Sequence, residues 1–396
     1  MPHRGTTTRY PGSDDGVTVP ASCGFLPAAD PLARLPRELS EWDELAGEIP
    51  KLLVAGALRS AVDEMSPRRA LPLRTPSDLN RAMLVLSYLG HAYIWGETKP
   101  ADRIPRGLAV PWRQVAQKLG RPPILSYASY ALANWRRVDP KGSVALGNIV
   151  LLQNFLGGVD EEWFVLVHVE IEARAGAALA AIQPAQKAVK ANNPAEVERQ
   201  LAVIAVALDR MSATLLRMPE HCDPYIYYNR VRPYLYGWKN QPALPEGLIY
   251  EGVKAYGGKP QMFRGETGAQ STIIPSLDAA LGIHHQQDVF HEYLMEMRHY
   301  MPPGHRGFLE AVERGPSVRE YAIKRRRSHP GLRDAYNRCI QGVQVFRDKH
   351  LEYASAYIQQ QSQKHHANPN EIGTGGTPFM PYLGKHLEET AAHLIE

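Results

Sequence analysis

The stretch VFRDKH, residues 345–350, places a histidine on the apolar face of a predicted helix near the C-terminal end of the chain. Residues three or four positions apart lie on one side of an α-helix. The side that contains the histidine is formed by Tyr336, Cys339, Val343, Phe346, His350, Ala354 and Tyr357. An inward imidazole is either a hydrogen-bonded core residue or a ligand that offers one nitrogen to a metal or to haem iron. The spacing alone leaves both alternatives open.

Arg347 lies almost one helical turn before His350, on nearly the same face. A guanidinium at this position can bind a carboxylate that His350 does not reach. A haem site needs such a partner for a propionate, so the pair is suggestive of haem.

A second group of possible ligands lies in HHQQDVFHE, which contains His284, His285, Asp288, His291 and Glu292. Asp288 with His291 or Glu292 has helical spacing and can form part of a carboxylate–histidine iron site. No HExxH or HxD spacing completes that site, however, and the stretch is equally typical of a polar turn between helices.

Two further motifs resemble phosphate-binding sequences. GTGGT at 373–377 lacks the lysine and the strand-to-helix context of a P-loop, so its glycines favour a lid that opens and closes. The basic run at 323–333, IKRRRSHPGLR, favours a solvated stretch between helices over a phosphate-binding patch.

Bulk composition excludes several classes of protein. The 45 Lys and Arg against 41 Asp and Glu give a net charge of +4, too small a surplus to indicate a nucleic-acid partner. Three widely separated cysteines, Cys23, Cys222 and Cys339, allow neither a disulfide framework nor a CxxC metal site. The sequence lacks a signal-peptide core and an apolar run of membrane-spanning length. We therefore expect a cytoplasmic protein with no membrane partner.

The length of 396 residues favours two domains, because a single core stops growing at about 250–300 residues. Residues 1–22 have the composition of a flexible tail. Helical periodicity dominates the remainder, with helices expected at 144–156, 192–218 and 331–360. Asn193 as cap and Pro194 at the first helical position mark the start of the second of these. Prolines at 97–126 predict short extended pieces, with at most one helical turn in QVAQKLG. Residues 361–372 are polar enough to be mobile ahead of the glycine-rich segment.

Taken together, several segments resemble the indoleamine 2,3-dioxygenase family from about residue 24 to 385. Their number, order and spacing make an accidental similarity improbable. The matching segments are GFLPAADPL, LAVPW, RPPILSYASYALANW, DPYIYYNRVRPYLYGWK, EGLIYEGV, FRGETGAQSTIIPSLDAALGI, MRHYMPPGHRGFL, VFRDKH and GTGGT.

The resemblance implies a mainly α protein that binds haem b. It implies a small mixed α/β N-terminal domain, residues 23–140, and a large all-α haem domain, residues 141–396, with a mobile loop near 361–377. His350 matches the proximal iron ligand. Arg347 and Asp278 match residues around a haem propionate, and Thr267 matches the loop over the haem.

The resemblance also implies a set of residues that bind the substrate. Arg232 matches an arginine that binds the amino-acid carboxylate, and Thr374 matches the threonine of a loop that closes on the ammonium group. The full set expected at the substrate is Tyr127, Tyr130, Ala131, Trp163, Tyr227, Arg232, Thr267, Gly268 and Thr374. A one-residue shift leaves open whether Trp163 or Phe164 fills the distal pocket, and the position near Leu166 is also uncertain.

Three positions depart from the family pattern: Tyr130, where a smaller residue is usual, Tyr227, usually Phe, and Glu266, where Gly is common. The implied reaction inserts O2 across the C2–C3 bond of L-tryptophan or a related indoleamine, in tryptophan catabolism by the kynurenine pathway. We expect no general base, an unidentified electron donor that keeps the iron ferrous, and a monomer or weak oligomer. The alternatives are a haem oxygenase for a modified indole in secondary metabolism and a non-catalytic haem protein that binds a gas.

Overall fold

The computed structural model describes residues 19–66, 72–364 and 373–396. Helices account for 62% of the residues and strands for 3%, which confirms a mainly α fold. Most of the predicted tail, residues 1–18, and part of the predicted mobile loop, residues 365–372, lie outside the described residues. Val19, which the prediction had included in the tail, is buried.

The described N-terminal residues, 19–66 and 72–140, contain five α-helices. They are α1 (Ser40–Gly47), α2 (Ile49–Val54), α3 (Leu58–Asp63), α4 (Pro76–Trp95) and α5 (Arg106–Leu119). Helix α4 begins with a reciprocal cap, because the Thr75 hydroxyl accepts from the Asp78 N–H while the Asp78 carboxylate accepts from the Thr75 N–H. Helix α5 occupies the region where prolines had predicted extended pieces. It contains Pro111 and ends at Gly120.

Ten α-helices follow in the described C-terminal residues, 141–364 and 373–396. They are α6 (Val159–Lys190), α7 (Pro194–Leu215), α8 (Pro224–Ile226), α9 (Ile273–Leu281), α10 (Val289–Met297), α11 (Pro303–Glu313), α12 (Val318–Arg325), α13 (Pro330–Ala354), α14 (Gln360–Lys364) and α15 (Phe379–Ala391). Helix α7 starts as its sequence predicts, with Asn193 accepting from the Glu196 N–H and Pro194 at the first position. Helix α13 carries His350.

The strands are two residues long and join distant parts of the chain. They are β1 (Arg103–Ile104), β2 (Arg136–Arg137), β3 (Ile149–Val150) and β4 (Ile249–Tyr250). β1 pairs with β4 in parallel, and β2 pairs with β3 antiparallel. Both pairs therefore cross residue 140, where the sequence analysis placed a domain boundary.

The helix predicted at 144–156 is wrong, because strand β3 and loops occupy these residues. Gly147 has φ 93°, a conformation that ends regular right-handed helix. The backbone groups here also bind side chains instead of one another. The Asn148 amide donates to the Asp139 carbonyl, and the Phe155 N–H donates to the Glu161 carboxylate.

Buried hydrophobic side chains form two clusters. One cluster contains residues of α1 to α5 and also includes Trp238, Tyr250 and Met297 from the C-terminal part. The other lies among α6, α7, α9 and α13 and includes Phe25 from the chain start. None of the helices in the described part of the chain combines the length and apolar composition that crossing a bilayer requires.

Candidate active site

A cavity of about 290 Å³ lies beside the middle of α6 and the C-terminal half of α13. Helices α9 and α15 and the segments 266–271 and 373–377 complete its wall. Turns of π-helix occur at Tyr227–Val231 and Ser355–Gln359, and both contribute tyrosines to the cavity. Such widened turns are frequent at functional sites, because they re-aim side chains within a helix.

His350 lines this cavity, and its exposed surface faces into it. Its imidazole has no hydrogen-bond partner in the described part of the chain. Burial among the surrounding protein, with smaller contributions from His168 and Arg347, lowers the pKa of His350 to about 4. The ring is therefore neutral near pH 7, the form in which imidazole binds a metal.

Arg347 and Asp278 lie together on the same wall. Arg347 Nη2 is 2.6 Å from Asp278 Oδ2, and both side chains are largely buried. Burial opposes ionisation of Asp278, but Arg347 and His285 outweigh that effect and hold its pKa below the usual value. The guanidinium also donates to the Thr390 hydroxyl. A fixed cation is therefore present one turn from His350.

The predicted non-haem ligand set is not brought together. Asp288 instead caps α10, accepting from the N–H groups of Phe290 and His291. A different trio, His285, His386 and Glu389, has ligand atoms within 4.8 Å of one another. In that trio both His285 nitrogens already face carboxylates, at 2.6 Å from Glu389 and 3.2 Å from Asp278. We therefore interpret it as a buried polar network behind Arg347.

Helix α6 presents Phe164 and His168 to the cavity, four residues apart. Trp163 points away, with its Nε1 donating to the Arg217 carbonyl at 2.8 Å. Of the two residues that the sequence left open, the structure therefore places Phe164 on the wall. Leu166 is buried in a hydrophobic cluster and is not part of the wall.

His168 is a cavity residue that the sequence did not predict. Its Nδ1 lies 2.7 Å from the Phe164 carbonyl oxygen, which only accepts, so Nδ1 carries the proton. Nε2 is then a hydrogen-bond acceptor, and it has no protein partner among the residues described. The available signal was the four-residue spacing from Phe164, but α6 is apolar almost all round and hides which face is functional.

The predicted substrate residues divide into two groups. Tyr127, Tyr227, Thr267, Gly268 and Thr374 line the cavity. Tyr130, Ala131, Trp163 and Arg232 are not part of its lining. Among the lining groups, the Tyr227 ring packs on Phe164 with centroids 4.5 Å apart.

Tyr130 and Arg232 lie behind the wall. Tyr130 is 1% exposed, and its ring centroid is 6.3 Å from that of Phe164. Arg232 is fully buried, donates to the Tyr236 hydroxyl and lies over the rings of Tyr228 and Tyr236. Its charge still acts on the Tyr227 hydroxyl, where it opposes the rise in pKa that burial causes.

The segments around Glu266 and Thr374 are fastened to each other. The Thr374 hydroxyl donates to the Glu266 carbonyl at 2.5 Å, and Arg264 donates to the Gly375 carbonyl at 2.8 Å. Gly265 lies so close to Gly237 that a Cβ at residue 265 would be 2.2 Å from the Gly237 nitrogen. The glycine-rich segment therefore packs directly against the cavity wall.

Comparison with known proteins gives matches along nearly the whole chain. The family model described as "Indoleamine 2,3-dioxygenase" matches residues 16–393. Indoleamine 2,3-dioxygenase 1 of Rattus norvegicus is 38% identical over 378 residues, 92% of each chain. Indoleamine 2,3-dioxygenase 2 of Homo sapiens is 34% identical over 408 residues, 100% of this chain and 98% of the human protein. Indoleamine 2,3-dioxygenase acdA of Aspergillus candidus is 35% identical over 386 residues, 93% of this chain and 94% of the fungal protein.

Proposed function

We infer that this chain, which belongs to the indoleamine 2,3-dioxygenase family, inserts both atoms of O2 across the C2–C3 bond of L-tryptophan or a related indoleamine. The product would be of the N-formylkynurenine type. Membership confirms the resemblance found in the sequence motifs, and the chain is accordingly an oxidoreductase. The observation that carries the proposal is the His350 imidazole, which lines the cavity without a hydrogen bond among the described residues.

The residues present fit a haem b cofactor. His350 offers an unpaired, neutral nitrogen, and Arg347 offers a guanidinium for a propionate beside Asp278. Haem, when bound, supplies the iron chemistry that activates O2. The protein supplies the binding pocket, the orientation of the substrate and the exclusion of water.

The aromatic wall and one hydrogen-bond acceptor would orient the indole. Tyr127, Phe164 and Tyr227 form a surface on which a flat ring can pack. His168 Nε2 is available to accept a hydrogen bond from the indole N–H. Together these contacts would hold the ring in a single position before reaction.

Two side chains bear on the expectation that the site has no general base. His168 and Glu266 both line the cavity, and both can exchange protons. Direct attack of oxygen on the electron-rich indole ring needs neither side chain as a base. The absence of a general base therefore stays a prediction. Arg232 as the carboxylate partner also stays a prediction, and it requires the side chain to turn toward the cavity.

Product analysis tests the proposed function. The haem-loaded protein, reduced without air and then given L-tryptophan and ¹⁸O2, should yield N-formylkynurenine that carries two labelled atoms, measured by mass spectrometry. A product with one labelled atom would favour the alternative oxygenase. Haem binding with no turnover of any indole would favour the gas-binding alternative.

A further inference from the structure

Glu266 is a deeply buried residue whose carboxyl group has no partner among the described residues. The residue is 5% exposed and lines the cavity. Its backbone is fixed, because its N–H donates to the Leu235 carbonyl at 3.0 Å and its carbonyl accepts from Thr374. Within residues 19–66, 72–364 and 373–396, its carboxyl group has neither a hydrogen bond nor an ion pair.

Several buried phenols lie near this carboxyl. The charge of Glu266 raises the pKa values of four phenols further, in addition to the larger effect of burial: Tyr88, Tyr127, Tyr130 and Tyr227. Burial raises the pKa of Glu266 to about 8, and no nearby cation lowers it. Residue 265 beside it packs directly against the backbone of Gly237, with no room for a Cβ.

An unpaired buried carboxyl destabilises the folded protein, since no protein donor among the described residues replaces its lost hydration. The second acidic side chain on the described wall, Asp278, is already paired with Arg347 at 2.6 Å. Glu266 is therefore the acidic group that this wall leaves available to a ligand.

We propose that Glu266 binds the ammonium group of the substrate, so that the site selects indoles that carry a primary amine. This inference rests on the proposed function, because it places the amine of an indoleamine in the same cavity. The ammonium group favours the ionised form of the Glu266 carboxyl. The resulting carboxylate–ammonium contact in a buried wall is a charge-assisted hydrogen bond, stronger than its neutral counterpart.

Three ligands separate the amine from the carboxylate: L-tryptophan, tryptamine, which has only the ammonium, and indole-3-propionate, which has only the carboxylate. Their dissociation constants are measured by the Soret change of the ferric, haem-loaded full chain, which needs no turnover. In Glu266→Gln, the dissociation constants of L-tryptophan and tryptamine should rise at least about 10-fold. That of indole-3-propionate should stay within about two-fold, since the neutral amide removes only the charge.

Glu172→Gln is the matched control, because Glu172 is a fully buried carboxyl that is not part of the cavity wall and accepts from the Ser271 hydroxyl at 2.7 Å. In Glu172→Gln, the dissociation constants of the three ligands should not change differently from one another. Equal weakening of all three ligands in Glu266→Gln, or unchanged binding with lost turnover, would overturn the proposal. A protein that makes no formylkynurenine yet shows the amine-dependent loss would refute the proposed function and leave this inference intact.

Discussion

Two histidines on long helices differ in how the surrounding protein uses their ring nitrogens. His91 on α4 and His350 on α13 each have a pKa lowered to about 4, mainly by burial. His91 is saturated, because Nδ1 lies 2.7 Å from the Tyr234 carbonyl and Nε2 accepts from the Leu125 N–H at 3.0 Å. His350 has no such partner among the described residues. The two imidazoles therefore share a lowered pKa but differ in hydrogen bonding and in exposure, since His91 is fully buried and His350 is exposed.

The largest expected effect comes from His350→Ala. The purified variant should lose stoichiometric haem, because the axial nitrogen is gone. Since this side chain makes no hydrogen bond in the described structure, the free energy of unfolding of the haem-free protein should change by less than about 1 kcal/mol. Soret absorbance and urea unfolding measure the two quantities. Retention of a normal haem spectrum would remove His350 from the iron.

His91→Ala should show the opposite pattern. The change leaves the Leu125 N–H and the Tyr234 carbonyl unpaired inside the protein and opens a cavity, so the unfolding free energy should fall by roughly 3–4 kcal/mol. Haem content per folded molecule should stay at the wild-type level. A loss below about 1 kcal/mol in urea unfolding would show that the two hydrogen bonds contribute little.

Acid should destabilise the protein partly through His91. Its pKa in the folded protein, about 4, is below the ordinary histidine value of 6.5, so the unfolded chain takes up the proton first as the pH falls. The stability that neutral His91 contributes is fully present above about pH 6.5. It is lost as the pH falls to about 4, which lowers the free energy of unfolding by about 3 kcal/mol in total. His91→Gln keeps a donor and an acceptor but does not titrate. Its unfolding free energy should fall less steeply between pH 7 and 5 than that of wild type, and equal slopes would contradict this assignment.

The smallest effect is expected at His168, a second cavity histidine whose Nε2 has no hydrogen-bond partner among the described residues. His168→Ala should weaken L-tryptophan binding by about 10-fold, because the indole N–H loses its partner. Binding of 1-methyl-L-tryptophan, which lacks that N–H, should change little. Soret titration of the ferric protein gives both constants. A low-spin bis-imidazole spectrum of wild type would instead place His168 on the iron.

Local sequence predicted several elements correctly. The cap formed by Asn193 and Pro194 marked the start of α7, and the three-and-four spacing placed His350 on the inward side of α13. Local patterns failed at 144–156, where Gly147 and side-chain bonds to the backbone outcompete helix formation. They failed again at α5, which tolerates Pro111 inside the helix.

The sequence by itself determined the helical class, the family and the helix that carries His350, because periodicity, caps and motif order are properties of short stretches. Only the tertiary structure decided which nitrogens and carboxyls remain without partners. His168, Glu266 and the choice of Phe164 over Trp163 all depend on contacts between segments far apart in the chain. Whether a polar atom finds a hydrogen-bond partner depends on the residues around it in the folded protein, and a sequence pattern does not encode that.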